Sequence, residues 1–180
     1  MDNLLELLDI VDDQDVVIGQ DTKGNKFQKS LISRNVAIFI MDDNGKFIIT
    51  KRSPLKKSFP NRYDISACGN VMAGENYLDA AKREVLEELG IKCELKMLDK
   101  IYNEFEENGK AIKYFTGIFI GKYAGEVTFN DELVELKRLT LEEISDLVRE
   151  NPDQFTPGFV KGFNEVKGVI RYKYDRFKTW

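Results

Sequence analysis

The chain has 180 residues, of which 42% are hydrophobic and 32% charged, with a formal net charge of −4. That is the profile of an ordinary globular protein, long enough to bury a full core as one domain over 1–180, and too acidic for a general nucleic-acid binder. Histidine is absent, which excludes histidine general bases, Ser-His-Asp and Cys-His nucleophile systems and every histidine-ligated metal.

A metal here would be held by carboxylates, backbone carbonyls or the two cysteines, Cys68 and Cys93. Oxygen ligands suit Mg²⁺, Mn²⁺ or Ca²⁺. Two cysteines are too few for a disulfide framework. The first residues lack a basic segment followed by a long apolar stretch, so they do not read as a signal peptide. The longest apolar run, 36–41, is too short to span a bilayer. The expected location is the cytoplasm, with no membrane and no nucleic acid as partner.

Residues 8–11 and 16–19 read as a short hairpin around Asp12-Asp13-Gln14-Asp15. The β-rich runs 36–41 and 46–50 flank Asp42-Asp43-Asn44-Gly45, a strong hairpin turn. A polar loop punctuated by proline covers 53–62. The spacing predicts a helix over 76–89. Asn76 caps its start with Asp79 three residues on, and Gly90 takes the left-handed position at its end. Leu78, Ala81, Val85 and Leu89 form its apolar stripe. Strands are expected at 96–105 and 112–121, shorter ones at 126–129 and 133–139, and helices at 141–150 and 157–166. No repeat or linker interrupts this order. Strands, helix, strands, then helices predict an α/β fold, an α/β/α sandwich with a mixed β-sheet: hairpins bring antiparallel pairs and helices cover the faces.

The chemistry concentrates in Gly69 to Ile91, GNVMAGENYLDAAKREVLEELGI. Glu84 and Glu88 are i and i+4, Glu84 and Glu87 i and i+3, so all three lie on one helix face beside the apolar stripe. Three like charges on adjacent turns repel, and Lys82 and Arg83 offset this only in part. Such a cluster belongs on a solvated face or around a bound divalent cation. An isolated E-x-x-E-E is usually an ordinary exposed helix surface. Gly69, Glu75, Arg83, Val85, Gly90 and Ile91 at fixed offsets change that reading, since average residue frequencies put a chance match at about 10⁻⁷.

This stretch resembles the box of the Nudix hydrolases at every specified position. The resemblance implies a Nudix-type fold and Mg²⁺-dependent cleavage of a diphosphate linkage, with Mn²⁺ able to substitute. It makes Glu84, Glu87 and Glu88 the metal ligands, with the Gly69 carbonyl as a further one. Glu87 also counts as a catalytic carboxylate. Glu75 and Arg83 would brace the loop against the helix. Family members often carry a general base beyond the box, and Asn130 to Glu135 is the best segment for it, with Glu135 first and Glu132 second. Arg52, Arg62 and Lys56, and beside them Lys57, would meet substrate phosphates from the preceding loop. The implied partner is a small-molecule diphosphate, a nucleotide or nucleotide sugar, and a homodimer is plausible for the family.

The resemblance extends over roughly 8–163 and points to the branch related to isopentenyl-diphosphate isomerase. Lys51-Arg52-Ser53, Pro60, Tyr63-Asp64 and Phe155-Thr156-Pro157 carry it. Isomerase is therefore an alternative, and Cys68-Gly69 through Gly74-Glu75 keeps the spacing of its cysteine segment. Its histidine ligands are missing, however, and Ile112 and Tyr114 stand where its E-x-E pair belongs. A non-catalytic ligand-binding domain is a third reading, against which stands the intact set of box glutamates. The tail from Arg171 mixes bases and aromatics, which suits either packing on the domain or stacking on nucleic acid. Packing is the expectation.

Overall fold

A computed structural model describes residues 3–56, 58–107 and 109–177. Side chains at 107 and 173–177 lie outside the description, as does Lys57, one of the loop cations expected to meet substrate phosphates.

The chain opens with an antiparallel pair, β1 (Leu7–Val11) and β2 (Val17–Thr22). Asp15 turns it at φ 65°. Thr22 then caps a short helix, α1 (Lys23–Lys29), to which the sequence analysis gave no element. Strand β3 (Ile32–Met41) and β4 (Phe47–Arg52) meet through the expected turn. There Asp42 Oδ1 accepts from the backbone N–H groups of Asn44 and Lys46, and Gly45 takes φ 74°. Two short strands follow, β5 (Tyr63–Asp64) and β6 (Ala67–Asn70), then helix α2 (Tyr77–Leu89). The long hairpin β7 (Leu95–Glu107) and β8 (Lys110–Lys122) leads to β9 (Leu133–Leu139). Helix α3 (Leu141–Glu150), a 3₁₀ turn (Pro152–Gln154) and α4 (Pro157–Phe177) complete the described chain.

The sheet has nine strands and is mixed: β8 runs parallel to β3 over ten register pairs, whereas the other named pairings are antiparallel. Alternation along β3 sorts its side chains between two cores. Val36, Ile38 and Ile40 pack with Ala80, Ala81, Val85 and Leu89 of α2. Phe39 and Met41 pack with Ile144 of α3 and Phe159, Phe163 and Val166 of α4. Helices thus cover both faces, and the fold is the expected α/β/α sandwich. Among the described residues no helix is long and apolar enough to cross a membrane.

Three local expectations change. The strand expected at 126–129 does not form; that segment passes the end of α2, where Thr128 lies against Gly90 and Asn130 Nδ2 donates to the Glu87 carbonyl. Leu78 is exposed and the buried face of α2 uses Ala80 instead, because two adjacent alanines let the helix approach the sheet closely. Helix α4 runs eleven residues past 166, since the apolar spacing continues through the buried Val166 and Ile170. The basic-aromatic tail therefore starts as part of this helix.

Candidate active site

Helix α2 starts where Asn76 Oδ1 accepts the Asp79 backbone N–H at 3.0 Å, and it ends at Gly90 with φ 67°. A Cβ at Gly90 would also press on Thr128, so glycine is required there on two counts. Between β6 and this helix the chain makes a tight loop. Gly74 stands at φ 79° and its N–H is held by Asp9 Oδ2 at 3.0 Å. The Glu75 carboxylate accepts the Met72 N–H at 3.0 Å, closing the loop on itself.

Arg83 joins loop to helix. Its guanidinium meets Glu75 bidentately at 2.9 and 3.0 Å and donates to the Asn70 carbonyl at 2.8 Å. It reaches Glu84 Oε1 at 2.6 Å and Glu87 Oε2 at 3.4 Å. The planar fork suits such a set, since it can serve two carboxylates in one plane. Gly69, at the end of β6, lies against the Glu84 carboxylate, and a Cβ there would overlap it. Glycine therefore leaves a cradle that a carboxylate occupies.

A pocket of about 290 Å³ opens beside this assembly. Glu84, Glu87, Glu88, Glu132 and Asp64 line it, with Arg52, Lys56 and Arg83 as counter-charges. Burial pushes the Glu84 carboxyl up to about 7, although Arg83 pulls it back. Glu88 lies well above the usual carboxylate range, again chiefly through burial, with Glu84, Asp64 and Glu132 adding like charge.

This has a consequence for stability. The unfolded chain releases the Glu84 proton near pH 4.5, whereas the folded protein holds it to about 7. Between these values the folded state binds more protons, so stability falls as pH rises. Glu88 acts in the same direction. Without histidine, no side chain with an ordinary pKa in that window masks the effect. In chelator, the melting temperature is expected to fall by several degrees from pH 5 to 7.5. Added Mg²⁺ should raise it more at 7.5 than at 5, because ligands bind metal deprotonated. A flat profile in a thermal scan would mean that Glu84 is already ionised at pH 5.

The carboxylates fit a hard divalent cation in donor chemistry and in charge, and the Gly69 cradle brings Glu84 against backbone. They are not gathered as tightly as the helix spacing suggests. Among the described residues no three acidic or thiol side chains converge into a ready-made cation site; Arg83 holds Glu84 and reaches Glu87 instead.

A family model for the NUDIX domain matches residues 31–159. The chain belongs to the Nudix family. It is 32% identical over 97% of its length to isopentenyl-diphosphate Delta-isomerase 2 of Photorhabdus laumondii, covering 97% of that protein. It is 30% identical over 91% of its length to prenyl-diphosphate phosphatase of Methanosarcina mazei, covering 98% of it. The crystal structure of DR0079 from Deinococcus radiodurans shares the fold with a TM-score of 0.71 at 24% identity, over 89% of this chain and 98% of that one.

Around the Nudix box the other expected residues divide. Glu132 lines the pocket, paired with Lys56 at 2.5 Å. Glu135 does not line it; it accepts from the Tyr63 hydroxyl at 3.1 Å and faces Lys51 and Lys137, both at 3.6 Å. Arg52 lines the pocket and is held by the Ser58 carbonyl at 3.1 Å and Asp64 at 3.4 Å. Arg62 is turned away, donating to the Phe155 carbonyl at 3.1 Å and lying on the Phe59 ring. Cys68 is half-buried at the pocket wall, and burial, with Asp64 next, pushes its thiol well up.

Two acidic pocket residues carry no such assignment in the sequence reading, Asp64 and Glu6. Asp64 is buried, which raises its carboxyl against the pull of Arg52, and it accepts from the Thr156 hydroxyl at 3.0 Å. Its signal was present, since Tyr63-Asp64 and Phe155-Thr156-Pro157 carried the family resemblance. The two segments prove to be one structural unit, joined also by the Thr156 N–H to the Tyr63 carbonyl at 2.9 Å. Glu6, which accepts from Asn70 Nδ2 at 2.8 Å, had no signal.

Proposed function

We propose that the protein is a divalent-metal-dependent hydrolase that cleaves the diphosphate linkage of an organic diphosphate, with nucleotides and nucleotide sugars as the leading class. One observation carries this: three box glutamates share one pocket with Arg52 and Lys56, so groups that can hold a cation and groups that can bind phosphate line the same space. Glu84, Glu87 and Glu88, with the Gly69 carbonyl, would hold Mg²⁺, and Mn²⁺ would serve in its place. When bound, the ion would supply charge neutralisation on the diphosphate and Lewis acidity.

The chain's own residues do the rest. Arg83 fixes the loop to the helix and restrains Glu84. Arg52, itself oriented by Asp64 and Ser58, binds phosphate oxygens with a planar fork, and Lys56 adds a compact point charge. Glu132, which lines the pocket, accepts the proton of the attacking water in this reading, in preference to Glu135, which accepts from the Tyr63 hydroxyl.

The isomerase reading has one observation in its favour. Cys68 sits on the pocket wall with its thiol held protonated by burial. Against it stand the missing histidines and the replacement of the acidic pair by Ile112 and Tyr114. Both Photorhabdus and Methanosarcina relatives carry names tied to prenyl diphosphates, so such compounds belong in the test. The experiment is phosphate and pyrophosphate release over nucleoside di- and triphosphates, nucleotide sugars and prenyl diphosphates, with Mg²⁺ or chelator. Release confined to Mg²⁺ is expected. A double-bond shift in isopentenyl diphosphate with no release would replace the hydrolase by the isomerase, and inertness toward the whole panel would remove both.

A further inference from the structure

A second cavity, of about 200 Å³, adjoins the carboxylate pocket between the sheet and α4. Its floor is one face of three neighbouring strands, β7, β8 and β3, and Phe159 and Phe163 of α4 roof it. Arg52, Asp64, Ile65 and Cys68 line both cavities, so one ligand can span them.

The floor is not what packing alone would select. The opposite face of β3 is apolar along Val36, Ile38 and Ile40. On the cavity side a polar row interrupts the apolar surface. Asn103 Nδ2 donates to Thr116 Oγ1 at 2.8 Å, which satisfies that buried pair. Asn35, in register with Thr116, has its Oδ1 buried with no hydrogen-bond partner among the described residues. Natives rarely leave a buried amide oxygen unpaired, and each such group asks for an explanation.

We propose that this cavity seats the organic part of the diphosphate substrate and that Asn35 selects a ring carrying hydrogen-bonding groups, the chemistry of a nucleobase and not of a hydrocarbon chain. The placement of the diphosphate rests on the hydrolase reading above. Size agrees: an apolar cavity of about 150 Å³ holds benzene, so this one suits a single ring system better than a long chain. The Phe159 and Phe163 rings, stacked on each other at 5.6 Å centroid separation, give the cavity an apolar aromatic roof. An Asn amide offers an acceptor and a donor side by side, the pattern that pairs with a base edge. A site built to hydrogen-bond its substrate rejects an analogue that cannot, because the site's polar group is then left unpaired.

The test uses the full chain, as wild type, Asn35→Leu and Asn35→Ala. Mg²⁺-dependent phosphate release is measured from ADP, GDP, CDP, UDP and geranyl diphosphate. Binding of the four nucleoside 5′-monophosphates and geranyl monophosphate is measured by calorimetry. At least one nucleoside diphosphate is expected to exceed geranyl diphosphate in kcat/KM by about tenfold or more. Either substitution should reduce that ratio about tenfold, mainly through KM; a folding defect would lower both rates and leave the ratio alone. A preference for geranyl diphosphate, or a ratio untouched by both variants, overturns the proposal. If nothing is cleaved, the hydrolase reading falls and calorimetry decides this one: nucleotide binding weakened about tenfold by the substitutions upholds the subsite, and binding that is absent or unchanged overturns it.

Discussion

Glu88→Gln is expected to lower kcat for Mg²⁺-dependent diphosphate cleavage by about 10²-fold or more while leaving the protein folded. Among the described residues Glu88 is the box carboxylate without a close cationic partner. Burial, Glu84, Asp64 and Glu132 all disfavour its charge, and Lys56 only weakly supports it. A glutamine keeps the shape and removes the charge on which cation binding depends. The same change relieves a buried like-charge cluster, so in chelator at pH 7.5 the variant should melt higher than wild type. It should also lose most of the rise in melting temperature that Mg²⁺ gives the wild type. Steady-state rates and two thermal scans decide it. A kcat within about threefold of wild type, with the Mg²⁺ shift intact, would remove Glu88 from the metal site.

Arg83→Met should produce a large loss of stability. It strips the bidentate partner from Glu75, the only ion-pair partner from Glu84 among the described residues, and a donor from the Asn70 carbonyl. Breaking a buried pair by removing one member costs about 3–5 kcal/mol. Arg83 is half-buried, so the lower end applies, and solvent screening keeps it there. At about 2–4 °C per kcal/mol for a chain of this size, the melting temperature should drop by roughly 6–12 °C. Arg83→Lys should recover less than half, because an ammonium cannot meet Glu75 bidentately and reach Glu84 as well. A drop under about 2 °C in thermal denaturation would show that the loop is held to α2 by other contacts.

Much of this site could be read from residue order, and the reason is distance along the chain. The capping of α2, its left-handed end at Gly90 and the common face of Glu84, Glu87 and Glu88 follow from offsets of a few residues. The turn at Asp42 to Gly45 is equally local. Leu78 shows the limit even there. Helical spacing defines a stripe, but only the sheet decides how wide the buried part is, and the close approach of Ala80 and Ala81 shifts it off Leu78.

The choice between Glu132 and Glu135 shows the limit more sharply. Glu135 lies in β9 and Glu132 in the turn just before it, and sequence favours the first. Glu135 pairs with Lys51 in the regular register of β9 and accepts from the Tyr63 hydroxyl; the register shifts one residue further on, at Lys51/Arg52, and Glu132 lines the pocket. Shifting a strand's register by one residue exchanges its faces, so no composition argument could have ranked the two. The contact made by Arg62 is illegible for a related reason: its partner, the Phe155 carbonyl, lies 93 residues away.

Sequence alone determined that this protein works without histidine, that its acids cluster on one helix behind a glycine loop, and that α/β layers carry them. Those properties depend on composition and on short, fixed spacings. Tertiary structure alone decided that Asp64 and Glu6 line the same pocket as those acids, that Arg62 and Glu135 make their contacts elsewhere, and that an apolar cavity lies next door, with an Asn35 amide oxygen unpaired among the described residues. These depend on strand register and on contacts across tens of residues, where small shifts in pairing redirect whole side chains.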